Sequence, residues 1–147
     1  MTLARSLSQF ASNVTTSGAV TSLGVGTPAS GTSGEIRATG DIIAYYSDDR
    51  LKIKLGNIEN ALTKLKSLNG FYYEANEIAQ SLGYKVKKEV GVSAQEVQKI
   101  MPEIVVSAPI DEQYLTVHYD RLSPLIIEAI KELSLEIDNI KNHLKIN

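Results

Sequence analysis

Hydrophobic positions along this chain change their spacing twice. As far as Gly34, Leu and Val are scattered among Ser, Thr, Gly and Ala without a sustained period, and Arg5 is the one charged side chain. A stretch of that kind buries little apolar surface by itself, so residues 1–34 read as flexible or as ordered by a partner. Leu3, Leu7 and Phe10 could form a short helical face within it. From Glu35 onward, Ile36 and Ala38 alternate with Arg37 and Thr39, Gly40-Asp41 marks a turn, and Ile42-Ile43-Ala44-Tyr45-Tyr46 is a short apolar run. This predicts strand over 35–46 with apolar residues on both faces. Few neighbours in the same chain could cover those faces, so the pattern points to a β structure built from several chains.

Beyond Lys52 the spacing turns helical. Asn57 is placed to cap a helix carrying Ile58, Ala61, Leu62, Leu65 and Leu68 on one face, and Asn69-Gly70 is placed to stop it in a left-handed turn. A strand at Phe71-Tyr72-Tyr73-Glu74, a short helix over 75–82 ended by Gly83, and a strand over 84–92 follow. The aromatics read as sheet packing rather than a stacking platform, because no basic residues interleave with them in a stacking arrangement. Ser93 or Ala94 opens a helix that Pro102 ends. Ile104-Val105-Val106 and the alternating Tyr114-Leu115-Thr116-Val117-His118-Tyr119 predict a hairpin turning at 109–113. His118 reads as a half-buried structural residue, with a role as base for Ser47 as the minor alternative.

The last pattern is the most regular. Asp120 is placed as the cap of a helix that can accommodate Pro124 in its first turn. Ile126, Ile130, Leu133, Ile137, Ile140 and Leu144 then repeat at four-three spacing, the seam of a coiled coil. Isoleucine at both seam positions disfavours two strands and points to three or four. Glu136 and Lys141 flank the seam where parallel chains can pair them. About three heptads are too few to hold alone, so the coil needs the support of the domain and the β region. The pattern as a whole predicts an α+β protein: a compact domain of short helices and hairpins, preceded by a β-rich segment and followed by a coiled-coil helix over 120–146.

Composition narrows the chemistry. The net charge of −2 is spread over both signs, so nothing favours nucleic acid or a charge-driven partner. The absence of cysteine excludes disulfides and thiolate metal sites, and two distant histidines make no zinc cluster. No continuous apolar run resembles a signal peptide or a bilayer span, which implies synthesis in a cytoplasm.

The candidate chemistry lies at the change of pattern, in Ser47-Asp48-Asp49-Arg50-Leu51-Lys52. A serine hydroxyl is a poor nucleophile at neutral pH, and the available activator in this stretch is the amine of Lys52. A free lysine amine, with a pKa of about 10.4, is protonated at pH 7 and cannot act as a base. Burial against Leu51 and Ile53 and proximity to Arg50 would favour the neutral amine, whereas Asp48 and Asp49 would oppose it. Activity would therefore depend on folding. The plainer alternative stays open: Asp48 or Asp49 caps a turn, Arg50 pairs with a carboxylate, and Lys52 is solvated.

Several blocks in order carry a resemblance. They are Ser47 to Lys52, Ile58-Glu59-Asn60-Ala61-Leu62, Leu68-Asn69-Gly70 with Tyr72 or Tyr73, and Gly91-Val92-Ser93-Ala94-Gln95-Glu96-Val97. Met101-Pro102-Glu103, Tyr119 with Leu122, and Glu128-Ala129-Ile130-Lys131-Glu132-Leu133 complete them. From Ser47 to the C-terminus the chain resembles the intramolecular chaperone domain of bacteriophage tail spikes and fibres, the peptidase S74 family. The resemblance implies a homotrimer that helps an upstream β-rich fibre fold and then cuts its own chain before the serine. It makes Ser47 the nucleophile, Lys52 its activating partner, Asp48 and Arg50 supporting residues, and Tyr46–Ser47 the bond cut. It implies no metal and no cofactor. The expected organisation is a segment 1–34, a strand-rich passenger end 35–46 and a chaperone domain 47–147, in a virion protein contacting other virion parts. An uncleaved trimeric structural or adhesive protein using the domain as a clamp is the alternative. A membrane-associated transcription factor sharing the domain fits less well, because no DNA-binding domain or membrane span is recognisable.

Overall fold

The structure, a computed structural model, describes residues 20–43 and 46–145. The predicted helical face of Leu3, Leu7 and Phe10 lies outside the described residues. The chain divides into two compact units between Ile53 and Lys54.

In the first unit, β1 (Ser22–Val25) pairs with β2 (Glu35–Ala38) in parallel, Leu23 opposite Ile36 and Val25 opposite Ala38. Paired residues of parallel strands share a face, so Leu23, Val25, Ile36 and Ala38 line one side. The other side carries Ser22, Gly24, Glu35 and Arg37. The connecting loop folds over this polar side: Ser30 donates to Glu35, the Gly31 amide donates to Ser22 Oγ, and a Cβ at Gly24 would strike the backbone of Thr27 to Ala29. The prediction here needs correction in two places. A strand lies within 22–25, in the segment read as featureless, because its Leu and Val find partners thirteen residues downstream. Ile42 and Ile43 form no strand and are exposed, and Ala44 and Tyr45 lie outside the described residues.

The second unit is mixed α and β. It contains α1 (Ala61–Lys66), β3 (Gly70–Tyr73), α2 (Glu77–Ser81), β4 (Glu89–Val92), α3 (Ala94–Ile100), β5 (Val105–Ala108), β6 (Asp111–Val117) and the long α4 (Ser123–Leu144). Strands β3 and β4 form one antiparallel pair, and β5 and β6 form a hairpin with an irregularity at Ser107/Ala108. Ala61 and Leu62 of α1 pack on Leu125 and Ala129 of α4 in one core cluster. Val97, Ile104 and Val117 form a second. Leu68 and Met101 border both clusters and join them into one interior.

Several local expectations hold for the reasons given. Ser93 Oγ accepts from the Glu96 amide and starts α3, while Pro102 follows its end. Gly83, with φ of 99°, follows α2 in the left-handed region that a side chain would resist. Others are corrected. Asp120 does not cap α4: Tyr119–Leu122 form a 3-10 turn, and the helix starts at Ser123 with Pro124 in its first turn. Asn69-Gly70 is no left-handed stop, since α1 ends at Lys66 and Gly70 opens β3. The strand over 84–92 is formed only at Glu89–Val92, because β3 offers four residues to pair with.

Asn57 does not cap α1 either. Asn60 precedes the helix in a left-handed conformation, φ 54°, without a capping side-chain bond. The first amides of α1 are satisfied from α4, where Glu132 accepts from Ala61 N and Leu62 N, each at 2.8 Å. Asn57 instead donates to Glu128 of the same helix at 3.5 Å. Leu125, Ala129, Glu132 and Glu128 thus share the side of α4 turned toward α1. The seam residues Ile126, Ile130, Leu133, Ile137, Ile140 and Leu144 are 42–62% exposed. No helix among the described residues is long and apolar enough to cross a membrane.

Candidate functional site

The site is built by one 3-10 turn, Asp49–Leu51, within the first unit. Asp48 starts it: its carboxylate accepts from the Arg50 amide at 2.9 Å, as a short side chain at an N-cap does. The turn closes through Leu51 N to Asp48 O and Lys52 N to Asp49 O. After it the backbone is extended at Lys52, and the side chain reaches back across the turn. Lys52 Nζ lies 3.0 Å from the carbonyl oxygen of Ser47 and 3.3 Å from its Oγ. The hydroxyl and the amine that the sequence placed five residues apart are therefore in hydrogen-bond contact.

Arg50 closes on Asp48 rather than on the dyad. Nε lies 3.0 and 3.2 Å from the two carboxylate oxygens, and Nη2 lies 2.6 Å from Oδ2. This fork holds the Asp48 carboxyl below its ordinary range. The Arg50 side chain is the main cause, the Arg50 amide the next, and the charge of Lys52 a lesser one. The same contact raises the Arg50 guanidinium. A turn capped by Asp48 and an Arg50–carboxylate pair were the plainer alternative for this motif, and both are present. They coexist with the Ser47–Lys52 contact instead of replacing it. The burial expected from Leu51 and Ile53 is absent: they are 65% and 90% exposed in the single chain.

A profile described as peptidase S74, chaperone of endosialidase, matches residues 47–106, beginning on this serine. Over this segment the chain is similar to the peptidase S74 family. Similar chains include the long tail fiber protein Gp37 of Enterobacteria phage M1, 36% identical over 67% of this chain and 39% of the relative. The Gp37 of Enterobacteria phage K3 is 35% identical over 67% of this chain and 8% of its own length. That of Enterobacteria phage Ox2 is 36% identical over 65% of this chain and 38% of its own. The aligned part is thus about two-fifths or less of each relative.

In the S74 segment, most of the motif blocks outside 47–52 prove to be structural. Glu96 accepts from the Asn69 amide at 3.0 Å and from its side-chain amide at 3.1 Å, joining α3 to the residue before β3. A Cβ at Gly91 would come within 2.8 Å of Tyr119 Oη, which accepts from the Val92 amide. Gly91, Glu96, Asn69 and Tyr119 therefore form one constellation around the edge of the β3–β4 pair. Tyr73 donates across that pair to Glu89 at 2.7 Å, and this bond is the main reason its phenol is pushed up to about 12. Sequence reasoning assigned no role to Glu96 or Glu132. Their signal was a carboxylate beside the apolar positions of an amphipathic helix, within reach of backbone amides of a neighbouring element.

Glu96 provides a pH test of this structure. Asn69 holds its carboxyl below the ordinary value, the backbone amide more than the side chain. A folded-state pKa below the unfolded one stabilises at neutral pH. That contribution declines as pH falls below the unfolded glutamate value of about 4.3 and is gone below the folded one. Glu96→Gln is expected to lower stability at pH 7 and to flatten the acid side of the stability curve, measured by urea unfolding from pH 7 to 3. An unchanged acid slope would show that this bond does not set the dependence.

Proposed function

We propose that this chain is a phage tail fibre or spike type protein whose domain from Ser47 onward brings three copies together, assists the upstream segment and then cuts the chain between Tyr46 and Ser47. The observation that carries the reading is the contact of Lys52 Nζ with Ser47 Oγ at 3.3 Å, in a segment similar to the S74 family. In the reaction a neutral Lys52 amine takes the hydroxyl proton as Oγ attacks the Tyr46 carbonyl carbon. The bond from that carbon to the Ser47 nitrogen breaks, the nitrogen leaves as an amine after taking a proton, and an ester joins Tyr46 to Ser47 Oγ. Water adds to the ester, freeing a Tyr46 carboxylate and restoring the hydroxyl. No metal or organic cofactor enters the scheme.

Exposure of Leu51 and Ile53 in the single chain supports coupling of this chemistry to assembly, since these side chains are left to be buried between chains. The exposed α4 seam is the association surface that fits, as a parallel three-stranded coil. Its product is a virion component, made in a host cytoplasm, that contacts further fibre parts.

Intact mass of the assembled parent, Ser47→Ala and Lys52→Ala chains tests the reading. The parent is expected to give two fragments divided at Tyr46/Ser47, and both variants a single full-length mass. A full-length parent after assembly would instead support an uncleaved trimeric clamp.

A further inference from the structure

We infer that Arg50 serves the reaction as the counter-ion that keeps the Asp48 carboxylate from pairing with Lys52, leaving the lysine amine able to lose its proton and accept that of Ser47. The inference rests on the Ser47–Lys52 reading above and concerns how that dyad can work. Asp48 is required by geometry, because its oxygen starts the turn that brings Lys52 back to Ser47. The Lys52 amine, turned back onto Ser47 across that same turn, is a cation near this carboxylate and adds a little to what holds the Asp48 carboxyl low. A carboxylate beside an amine favours the ammonium form, which is the inactive one. Asp49 adds a second acidic group to the turn, the Tyr46 phenol precedes it, and Lys54 follows in sequence.

Arg50 answers this difficulty in its own geometry. Its Nε and Nη2 engage both oxygens of Asp48, so the carboxylate that organises the turn is neutralised on the side chain next but one. A guanidinium suits the task because it does not deprotonate and forms a planar fork, which a second lysine cannot offer. The Arg50 side chain is 87% exposed, and pairs so exposed add little to folding stability. Its replacement should therefore leave the fold intact and act on the chemistry.

The test uses the full chain from cell-free synthesis, refolded from urea into buffers from pH 6 to 10, with processing followed by intact mass. Arg50→Gln is expected to slow processing roughly tenfold at pH 7 and move the pH–rate profile upward by about one unit. Arg50→Lys should recover part of the loss. Asp48→Asn combined with Arg50→Gln should return the profile toward that of the parent, since Asn still caps the turn and leaves no charge to neutralise. A double variant no better than Arg50→Gln, or an Arg50→Gln profile that overlays the parent's, would overturn the counter-ion role while leaving the dyad standing. A parent intact at every pH would overturn the dyad itself.

Discussion

A chain carrying Ile130→Asp and Ile137→Asp is expected to sediment at the mass of one protomer, and the parent at the mass of the proposed trimer. The six seam side chains are already about half covered in the single chain, so completing their burial contributes about 1 kcal/mol each. Against this gross gain of about 6 kcal/mol per chain stands an association cost on the order of 4–15 kcal/mol. Such a balance does not survive loss of two positions together with the desolvation of a carboxylate at each. Helix content should persist by circular dichroism, because Leu125 and Ala129 hold the start of α4 on the other side. With assembly lost, processing at Tyr46/Ser47 is expected to stop as well. A double variant that keeps the parent's mass would exclude the seam as the interface.

Glu132→Ala is expected to be the most destabilising single change at a polar residue of the second unit. It removes the acceptor of two partly buried amides at the start of α1, and Asn60 offers no cap in its place. Leaving buried donors unsatisfied costs about 1–3 kcal/mol each, so a loss of about 3 kcal/mol is expected. For a domain of this size that corresponds to a melting temperature lower by roughly 15 °C. Glu132→Gln keeps one acceptor oxygen and should lose less than half as much. Thermal unfolding followed by circular dichroism distinguishes the two, and equal melting temperatures for Glu132→Ala and the parent would remove the cap from the account.

Local chemistry made much of this fold legible from sequence. Ser93, Pro102, Pro124 and Gly83 act within a few residues of themselves, so the ends they mark could be read directly. The β5–β6 hairpin was visible in outline, from the apolar run at 104–106 and the alternation from Tyr114. Its second strand runs from Asp111 to Val117, so residues 111–113, read as turn, are strand, and His118 and Tyr119 are not. What could not be read depends on contacts distant in sequence. Asn57 looked like a cap because nothing near α1 reveals that Glu132 performs the task from another helix. Asp120 looked like a cap because a 3-10 turn before a proline-containing first turn has the same local composition. The pairing of β1 with β2 depends on where a loop of polar residues folds back, which no period records. At the candidate site, the six-residue motif displayed a hydroxyl and an amine five residues apart. The partition of charge within it, Arg50 to Asp48 and Lys52 to Ser47, needed coordinates.

The Glu132 bond to α1 also sets an order of events during synthesis. Helix α1 leaves the ribosome 70 residues before the carboxylate that completes it. Until α4 is made, the first turn of α1 lacks its acceptor, and the core of Ala61, Leu62, Leu125 and Ala129 lacks half its members. Translation itself thus delays the domain: the segment upstream of Ser47 has emerged and can begin to sample its own contacts while the part that follows still cannot close.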